Sequence, residues 1–565
     1  MTDLTIASDG LAQWVSSRTQ PIALCDVEAR CTPKFLEQAI GHLGNAEIVS
    51  ATVNTTGQYA AKLPPYPLPF PFPLPDPFII SDLPPFCDVV AAVKTPGGHM
   101  ATVIVWVPLA WNGRFLGTAG AGNRTDSSFI SLDTMRGMSM PVALRNGFAT
   151  ARTDGANSSD KPIEWGLDEN TGKIDWDLTE QWIHRATHEM TLIGKAVTEA
   201  IHGRAPQYSY LAGCSGGGRQ ALVEAQRYPT DYDGIWAADP AINWTKFILA
   251  EIWPSLVMKE LAVIPPAKFE AFKEAALEAC DGIDGLRDGI VGPLDSCTFD
   301  PRRLIGKPTP AGEITAKDAE AMQKIWEGPR GSDGRFLWYG IGIGNESWGT
   351  PLMPIGLCVA QEIDGKLQPA PFEIPPGYIR TWLLKDLSWD WKTLSFKQFE
   401  QLFEQSVREM AMAASDDPDL SKFRAAGGKL ILSHGSYDPV IPFMGSVDYY
   451  RRIIEAIGSE QATREFARLF ICEGDGHGTS RPNGPGLTMA SAMAALMNWV
   501  EHGEAPDVVD CRAVDMFTKE VTATRPAYAY PMVPTYRGEG DAKDAASFRP
   551  IHFSERAKLK MALKD

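Results

Sequence analysis

Nowhere in the 565 residues does an uninterrupted apolar run reach the roughly 20 residues that a bilayer-spanning helix needs, so a membrane-embedded chain is not expected. Positive charge is scarce: 53 Lys and Arg stand against 70 Asp and Glu, a formal net charge of −17. Nucleic acid and anionic lipid both demand concentrated Lys and Arg, so neither is expected as a partner. The first ten residues, Met1 to Gly10, contain neither the basic stretch nor the apolar core of a secretory leader, and the expectation is an intracellular protein. Cysteines are few and odd in number, nine at positions 25, 31, 87, 214, 280, 297, 358, 472 and 511. That excludes the dense disulfide framework of a small secreted domain; in a reducing compartment most of these thiols are expected to be free and buried.

What is present is the composition of a soluble globular protein, 44% hydrophobic and 22% charged, in a chain too long for one simple core. Proline is concentrated at 64–77, where it alternates with mostly apolar residues. Such a run adopts polyproline II or turns; we read it as a stiff strap packed on the domain, the alternative being a docking segment for an SH3-like partner. Beyond it, β-like and helical patterns alternate. Ala101–Val107, Phe148–Thr153, Tyr208–Ala212, Lys429–Ser433 and Ala467–Cys472 read as strands, and 181–202 and 487–502 as helices. The expected fold class is α/β, a mostly parallel sheet covered on both faces. The rhythm fails between roughly 245 and 425, in a segment with tryptophan, proline and glycine clusters such as Trp389-Asp390-Trp391. The economical division is one catalytic domain, 1–245 and 425–565, interrupted by a lid domain at 246–424.

Gly213-Cys214-Ser215-Gly216-Gly217 has the G-x-S-x-G pattern of a nucleophile elbow, a tight strand-to-helix turn that exposes a serine hydroxyl above a sheet. A β-prone Tyr208–Ala212 precedes it, and helical spacing at Ala221, Leu222 and Ala225 follows; the competing reading is an incidental serine in a glycine-rich turn. A serine hydroxyl is a weak nucleophile that needs a base, and the base needs an orienting acid. In hydrolases of this fold the chain order is Ser, then Asp or Glu, then His. Asp438, just past the strand at 429–433, and His477, just past the strand at 467–472, complete the order with Ser215. His434 is a rival base and Asp475 a rival acid. The oxyanion hole is expected from the amide of Gly216 and one from the glycine-rich 114–122 segment, with Gly120, Ala121 and Gly122 all open as donors.

Residues 280–290 place Asp281, Asp284 and Asp288 among glycines. Several carboxylate and carbonyl oxygens in a tight loop suit a hard cation such as Ca²⁺, although the spacing is not that of an EF-hand; an acidic surface turn is the alternative. Cys280 and Cys297 bracket the loop and are a possible disulfide.

Together these stretches resemble the tannase and feruloyl esterase family: Phe86-Cys87, Trp111 to Phe115, Gly147 to Thr150, His188-Glu189-Met190, Tyr208–Gln220, Glu224 to Pro229, Tyr232 to Ile235, Pro240 to Trp244, the 280–290 loop, Trp389-Asp390-Trp391, His434-Gly435 with Asp438, and Gly476-His477. The resemblance covers most of 80–500. It implies an α/β-hydrolase fold with an inserted lid, a Ser215, Asp438 and His477 triad, and cleavage of esters of aromatic acids. It also implies a structural Ca²⁺ on Asp281, Asp284 and Asp288 with the carbonyls of Leu286 and Ile290. Family members usually bridge a cysteine before the serine to one after the histidine. Here Cys214 is present but Gly478 follows His477, so the two loops are expected to be held by packing alone. That departure weakens plant cell-wall esters as the substrate.

The expected activity is serine carboxylic ester hydrolysis on a small-molecule ester, with no organic cofactor. Two rivals use the same residues: an acyl transfer or lactone-forming or lactone-opening enzyme of small-molecule metabolism, and an inactive ligand-binding homologue.

Overall fold

The computed structural model describes residues 20–62, 75–125, 139–157, 163–292, 297, 299–349, 356–478, 484–515, 518 and 520–556. Most of the proline-rich 64–77 run therefore lies outside the described residues. Among those described, nine strands form the central sheet: β1 (Ala46–Asn54), β2 (Phe86–Lys94), β3 (Met100–Pro108), β4 (Arg114–Thr118), β5 (Ala149–Thr153), β6 (Tyr208–Cys214), β7 (Gly234–Ala238), β8 (Lys429–Gly435) and β9 (Ala467–Cys472). Their spatial order is β9-β8-β7-β6-β4-β5-β3-β2-β1. The six strands from β9 to β5 are parallel to their neighbours, and β3, β2 and β1 add an antiparallel flank.

The helices used below are α1 (Ala186–His202), α2 (Gly216–Arg227), α3 (Trp244–Glu260), α4 (Pro266–Cys280), α5 (Ala316–Glu327), α6 (Phe396–Glu409), α7 (Met444–Ile457) and α8 (Met489–His502). Side chains alternate across the sheet with a period of two. Leu211, Ile235, Ala237, Leu430 and Leu432 enter a core with Met190, Ile193 and Val197 of α1 and Leu222 of α2. Tyr210, Ala212, Trp236 and Ile431 enter the opposite core with Met493, Leu496 and Trp499 of α8. A sheet covered on both faces needs near-continuous apolar strands, which is why β7 and β8 read as unbroken runs.

Every strand expected from the pattern is present, with ends displaced by one or two residues. The helix expected over 181–202 is interrupted: Trp176–Glu180 is helical, Gln181–Arg185 is a π-turn, and α1 begins at Ala186. The flank strands β1 and β2 were not foreseen, nor were the inner strands β4 and β7 or the antiparallel C-terminal region Val508–Val514, Val521–Tyr528, Met532–Tyr536 and Phe548–His552.

Between Ala238 and Lys429 the chain leaves the sheet and builds α3 to α6 around a second core that includes Phe247, Leu256, Phe272, Ile325 and Phe399. This core is not private to the insertion. Ile163, Trp165, Leu178 and Trp182, from the segment before α1, are part of it, and Trp182 meets Trp244 edge-on at 4.9 Å between centroids.

At the N-terminal edge of the strands, Arg114 of β4 donates twice to Glu501 of α8, at 2.7 and 2.6 Å, and the Tyr210 hydroxyl of β6 donates to the same carboxylate at 2.7 Å. Burial alone would raise the Glu501 carboxyl, but these donors hold it below the usual range. A depressed carboxyl contributes stability above its unfolded value, and that contribution is lost as pH falls through the folded value. Glu501→Ala is expected to lower the unfolding free energy by about 2–4 kcal/mol in a denaturant titration. Because the pair lies at the end of the sheet away from Ser215, turnover by the folded variant should be unchanged.

Candidate active site

Ser215 sits between β6 and α2 with φ 62 and ψ −124, a backbone state that side chains rarely adopt and that accumulates at functional turns. The turn closes only because its neighbours lack side chains: a Cβ on Gly213 would drive into the carbonyl of Gly217. Three backbone bonds hold the turn. Ser215 N–H donates to Ala238 O at 3.0 Å, and Ser215 O accepts from Arg219 and Ala241, both at 3.0 Å.

Arg219, four residues on, is fully buried. Its guanidinium donates to the carbonyls of Trp182 (2.7 Å) and Ile183 (3.1 Å) and to Ser415 Oγ (3.1 Å), and lies 4.1 Å over the Trp182 ring. The π-turn is what turns those carbonyls toward it. Burial, with the charge of Arg227 nearby, brings its pKa down to about 9.

The loop after β8 carries Asp438, whose carboxylate is buried. One oxygen accepts from the amides of Val440 (2.9 Å) and Ile441 (2.8 Å), and the other is 2.6 Å from His477 Nδ1 and 3.2 Å from His434 Nε2. Burial acts to raise this carboxyl, but the charge of His477 and hydrogen bonds from His434 and His477 hold it well below the carboxylate range. An Nδ1–H bond to Asp438 fixes the His477 tautomer and makes Nε2 its basic nitrogen. The rival base is placed differently: His434 is buried, bonded to Ser446 Oγ at 2.8 Å through Nδ1 and shared by Asp438 and Ile441 O through Nε2. It supports the carboxylate from behind. Asp475 takes part in the turn, its carbonyl accepting from Tyr437 N–H at 2.8 Å, while the imidazole of His477 is turned to Asp438.

The histidine loop rests on the elbow, for a Cβ on Gly478 would lie 3.4 Å from Cys214 Sγ. The glycine-rich segment after β4 rests on its other side, where a Cβ on Gly216 would clash with the carbonyl oxygen of Gly122. One oxyanion assignment needs correction. The Gly120 amide donates to Gln220 Oε1 at 2.8 Å, so it is committed inside the protein; Gly120 serves as a spacer because a Cβ there would strike the Thr125 carbonyl. That leaves Gly216 with Ala121 or Gly122 as donors, and Ile374 of the insertion lies over Gly122.

In the acidic loop, Asp281 accepts from the amides of Asp288 (3.3 Å), Gly289 (3.0 Å) and Ile290 (3.2 Å), and Asp284 accepts from Leu286 N–H at 3.0 Å. Asp288 pairs with Arg525. Burial and the charge of Glu473 raise Asp284 to about 7. The donor chemistry suits a hard cation. The three carboxylates do not converge among the described residues as the side chains of Asp239, His434 and Asp438 do, within 4.8 Å of one another, and Arg525 already neutralises Asp288. Cys280 and Cys297 are disulfide-bonded with Cα atoms 5.5 Å apart, and so, unforeseen, are Cys31 and Cys87. Cys472 faces Cys511 at 3.6 Å.

Two residues went unnoticed in the sequence, Arg219 and Asp239. Both carry a signal: a lone cation one turn into a helix of small residues, and an acid directly at the end of a buried strand.

A sheet of this order, with a serine elbow after β6 and an aspartate and histidine after β8 and β9, defines an α/β-hydrolase. The profile of the "Tannase and feruloyl esterase" family matches residues 87–551. A probable feruloyl esterase of Arthroderma benhamiae is 37% identical over 473 residues, 82% of this chain and 85% of its own. The mono(2-hydroxyethyl) terephthalate hydrolase of Piscinibacter sakaiensis is 28% identical over 528 residues, covering 82% and 85% respectively. The tannin acyl hydrolase of Aspergillus niger shares the fold, with a TM-score of 0.78 at 23% identity over 96% of this chain and 98% of that one. The chain belongs to the tannase and feruloyl esterase family and is a carboxylic ester hydrolase.

Gly216→Ala is expected to drive a Cβ into the Gly122 carbonyl and displace that backbone, cutting ester turnover by about 10²–10³-fold and lowering the thermal midpoint. The comparison of kcat with melting temperature checks it.

Proposed function

We propose that this esterase works through an acyl-enzyme on Ser215 and that its substrates are esters of aromatic acids. The observation that carries the mechanism is the buried Asp438 carboxylate 2.6 Å from His477 Nδ1, beside a serine held in a strained elbow. Ser215 Oγ attacks the ester carbonyl while His477 Nε2 takes its proton. The tetrahedral oxyanion is held by the amide of Gly216 and one from Ala121 or Gly122. Collapse expels the alcohol, which leaves with the proton from His477, and water attacks the acyl-enzyme by the reverse sequence. The insertion acts as the lid, its Ile374 closing over Gly122. The aromatic acyl group is supported by the names of the relatives, a feruloyl esterase and a terephthalate monoester hydrolase.

A fluorophosphonate should add once to the wild-type protein and not to Ser215→Ala, read by intact mass. Asp438→Asn should lower kcat by about 10⁴-fold. Methyl ferulate should exceed methyl butyrate in kcat/KM by about tenfold or more; equal values would remove the aromatic preference, and product esters formed with added alcohols would favour acyl transfer.

We further propose that the acidic loop binds Ca²⁺ through Asp281, Asp284 and Asp288 with the carbonyls of Leu286 and Ile290. The support is the oxygen-rich turn, whose aspartates and carbonyls are the donors a hard cation takes. When bound, the ion would hold the loop and take no part in the chemistry. At about 100 times its Kd, calcium should stabilise the wild type by about 2.7 kcal/mol, seen as a higher thermal midpoint than in chelator and absent in Asp284→Asn. No shift in the wild type would mean that Arg525 alone neutralises the loop.

A further inference from the structure

Asp239 is the first residue after β7 and is completely buried, at φ 40. Its amide donates to Ser433 O at 2.8 Å, which ties it to β8. Its carboxylate reaches three chain segments. Oδ1 accepts from the Gly435 amide at 2.9 Å, and Oδ2 accepts from the Gly478 amide at 2.9 Å and from the Cys214 thiol at 3.5 Å. Cys214 immediately precedes Ser215, Gly478 immediately follows His477, and Gly435 ends the strand that leads to Asp438.

We propose that Asp239 is a positioning residue for the hydrolysis, a buried carboxylate that sets the relative placement of Ser215, Asp438 and His477 through the residues beside them. The proposal rests on the triad reading above. Its physical ground is that charge-assisted hydrogen bonds in a dry interior are short, strong and directional. Two backbone amides fix the histidine loop and the end of β8 to one rigid group, and the thiol ties that group to the elbow. Displacement of a reacting group by about 1 Å is enough to cost about 10²-fold in rate. Packing alone, the expectation from the missing cysteine at 478, is therefore corrected: the loops share a hydrogen-bonded acid. The same geometry suggests how to replace it. Gly478 stands against Cys214 Sγ, so a thiol introduced at 478, on a backbone strained at φ 63, is within reach of a covalent bond that would join the two loops without Asp239.

The experiment compares wild type, Ser215→Ala, Asp239→Asn, Asp239→Ala and the double variant Asp239→Ala with Gly478→Cys, using an activated aromatic ester and a fluorophosphonate. Asp239→Asn keeps the shape but turns an amide N–H toward one of the backbone donors. It should lower kcat and the labelling rate by about 10²-fold, with KM within about threefold and the near-ultraviolet circular dichroism retained. In the double variant, oxidation to the Cys214 bridge, seen as a loss of two hydrogens in the mass, should restore kcat to within about tenfold of wild type, and reductant should reverse the gain. A merely structural role would change melting temperature without this redox-reversible recovery of kcat. Wild-type kcat in Asp239→Asn, or a bridged double variant as slow as Asp239→Ala, would overturn the proposal while labelling of Ser215 left the triad reading standing. Turnover retained by Ser215→Ala would overturn both.

Discussion

The backbone at Ser215 is held in a state that costs of order 1–3 kcal/mol, and the surrounding structure exists in large part to keep it there. The strain is distributed rather than local. The elbow amide is bound by the end of β7, its carbonyl by the loop that follows β7 and by the first turn of α2. Beneath it lies the Arg219 cation, held among the described residues by two carbonyls, a serine and the Trp182 face. Carbonyl dipoles and an aromatic quadrupole stabilise a buried guanidinium without the second desolvation that a carboxylate would add. The carbonyls come from the π-turn and the serine from the end of the insertion, so the elbow, the segment before α1 and the insertion are parts of one support.

A second electrostatic chain reaches the histidine loop from the opposite side. Glu473, at the start of that loop, is buried, with Arg556 at 2.9 Å and Arg525 at 3.9 Å. Arg525 also pairs with Asp288 of the acidic loop. Arg525 thus joins a carboxylate four residues before His477 to a turn nearly two hundred residues earlier, and Arg556 holds the same carboxylate. Neutralising the acidic loop and placing the histidine loop are coupled through Arg525, which gives the C-terminal strands a reason to fold back over the sheet. Opposed charges in such a network raise and lower each other's ionisation, and Asp284, buried and close to Glu473, is the member left high.

Much of this was legible in the chain because it rests on local rules. Strand ends follow from apolar runs that stop at proline, glycine or a polar residue, and the order Ser215, Asp438, His477 follows from the elbow and two strand-end loops. The antiparallel flank β1 and β2 was missed because half-exposed alternation carries a weaker signal than a buried run; the observed β1 is mostly partly exposed. The break at 181–185 escaped because Trp182 and Ile183 keep helical spacing through a π-turn. Gly120 was misassigned since sequence displays an available amide but not the Gln220 side chain, one hundred residues away, that claims it. Asp239 was invisible for the same reason: its partners lie at 214, 435 and 478, and only the parallel crossing of β6, β7 and β8 brings them to one carboxylate.

That crossing also explains why a carboxylate suits the position. A parallel sheet ends in a row of loops at the same edge, each with backbone amides that no strand partner satisfies. An acid at the end of β7 meets donors from both sides at once, the amides of Gly435 and Gly478 on the β8 and β9 side and the Cys214 thiol on the β6 side, since β7 lies between β6 and β8. A disulfide joins two loops; an acid with two oxygens joins three, provided water is excluded and every donor is met. Gly478 fits this arrangement, for at φ 63 its amide turns to Asp239 in a conformation that disfavours a side chain. The residue that bars the covalent tether is thus the one whose backbone the acid uses in its place.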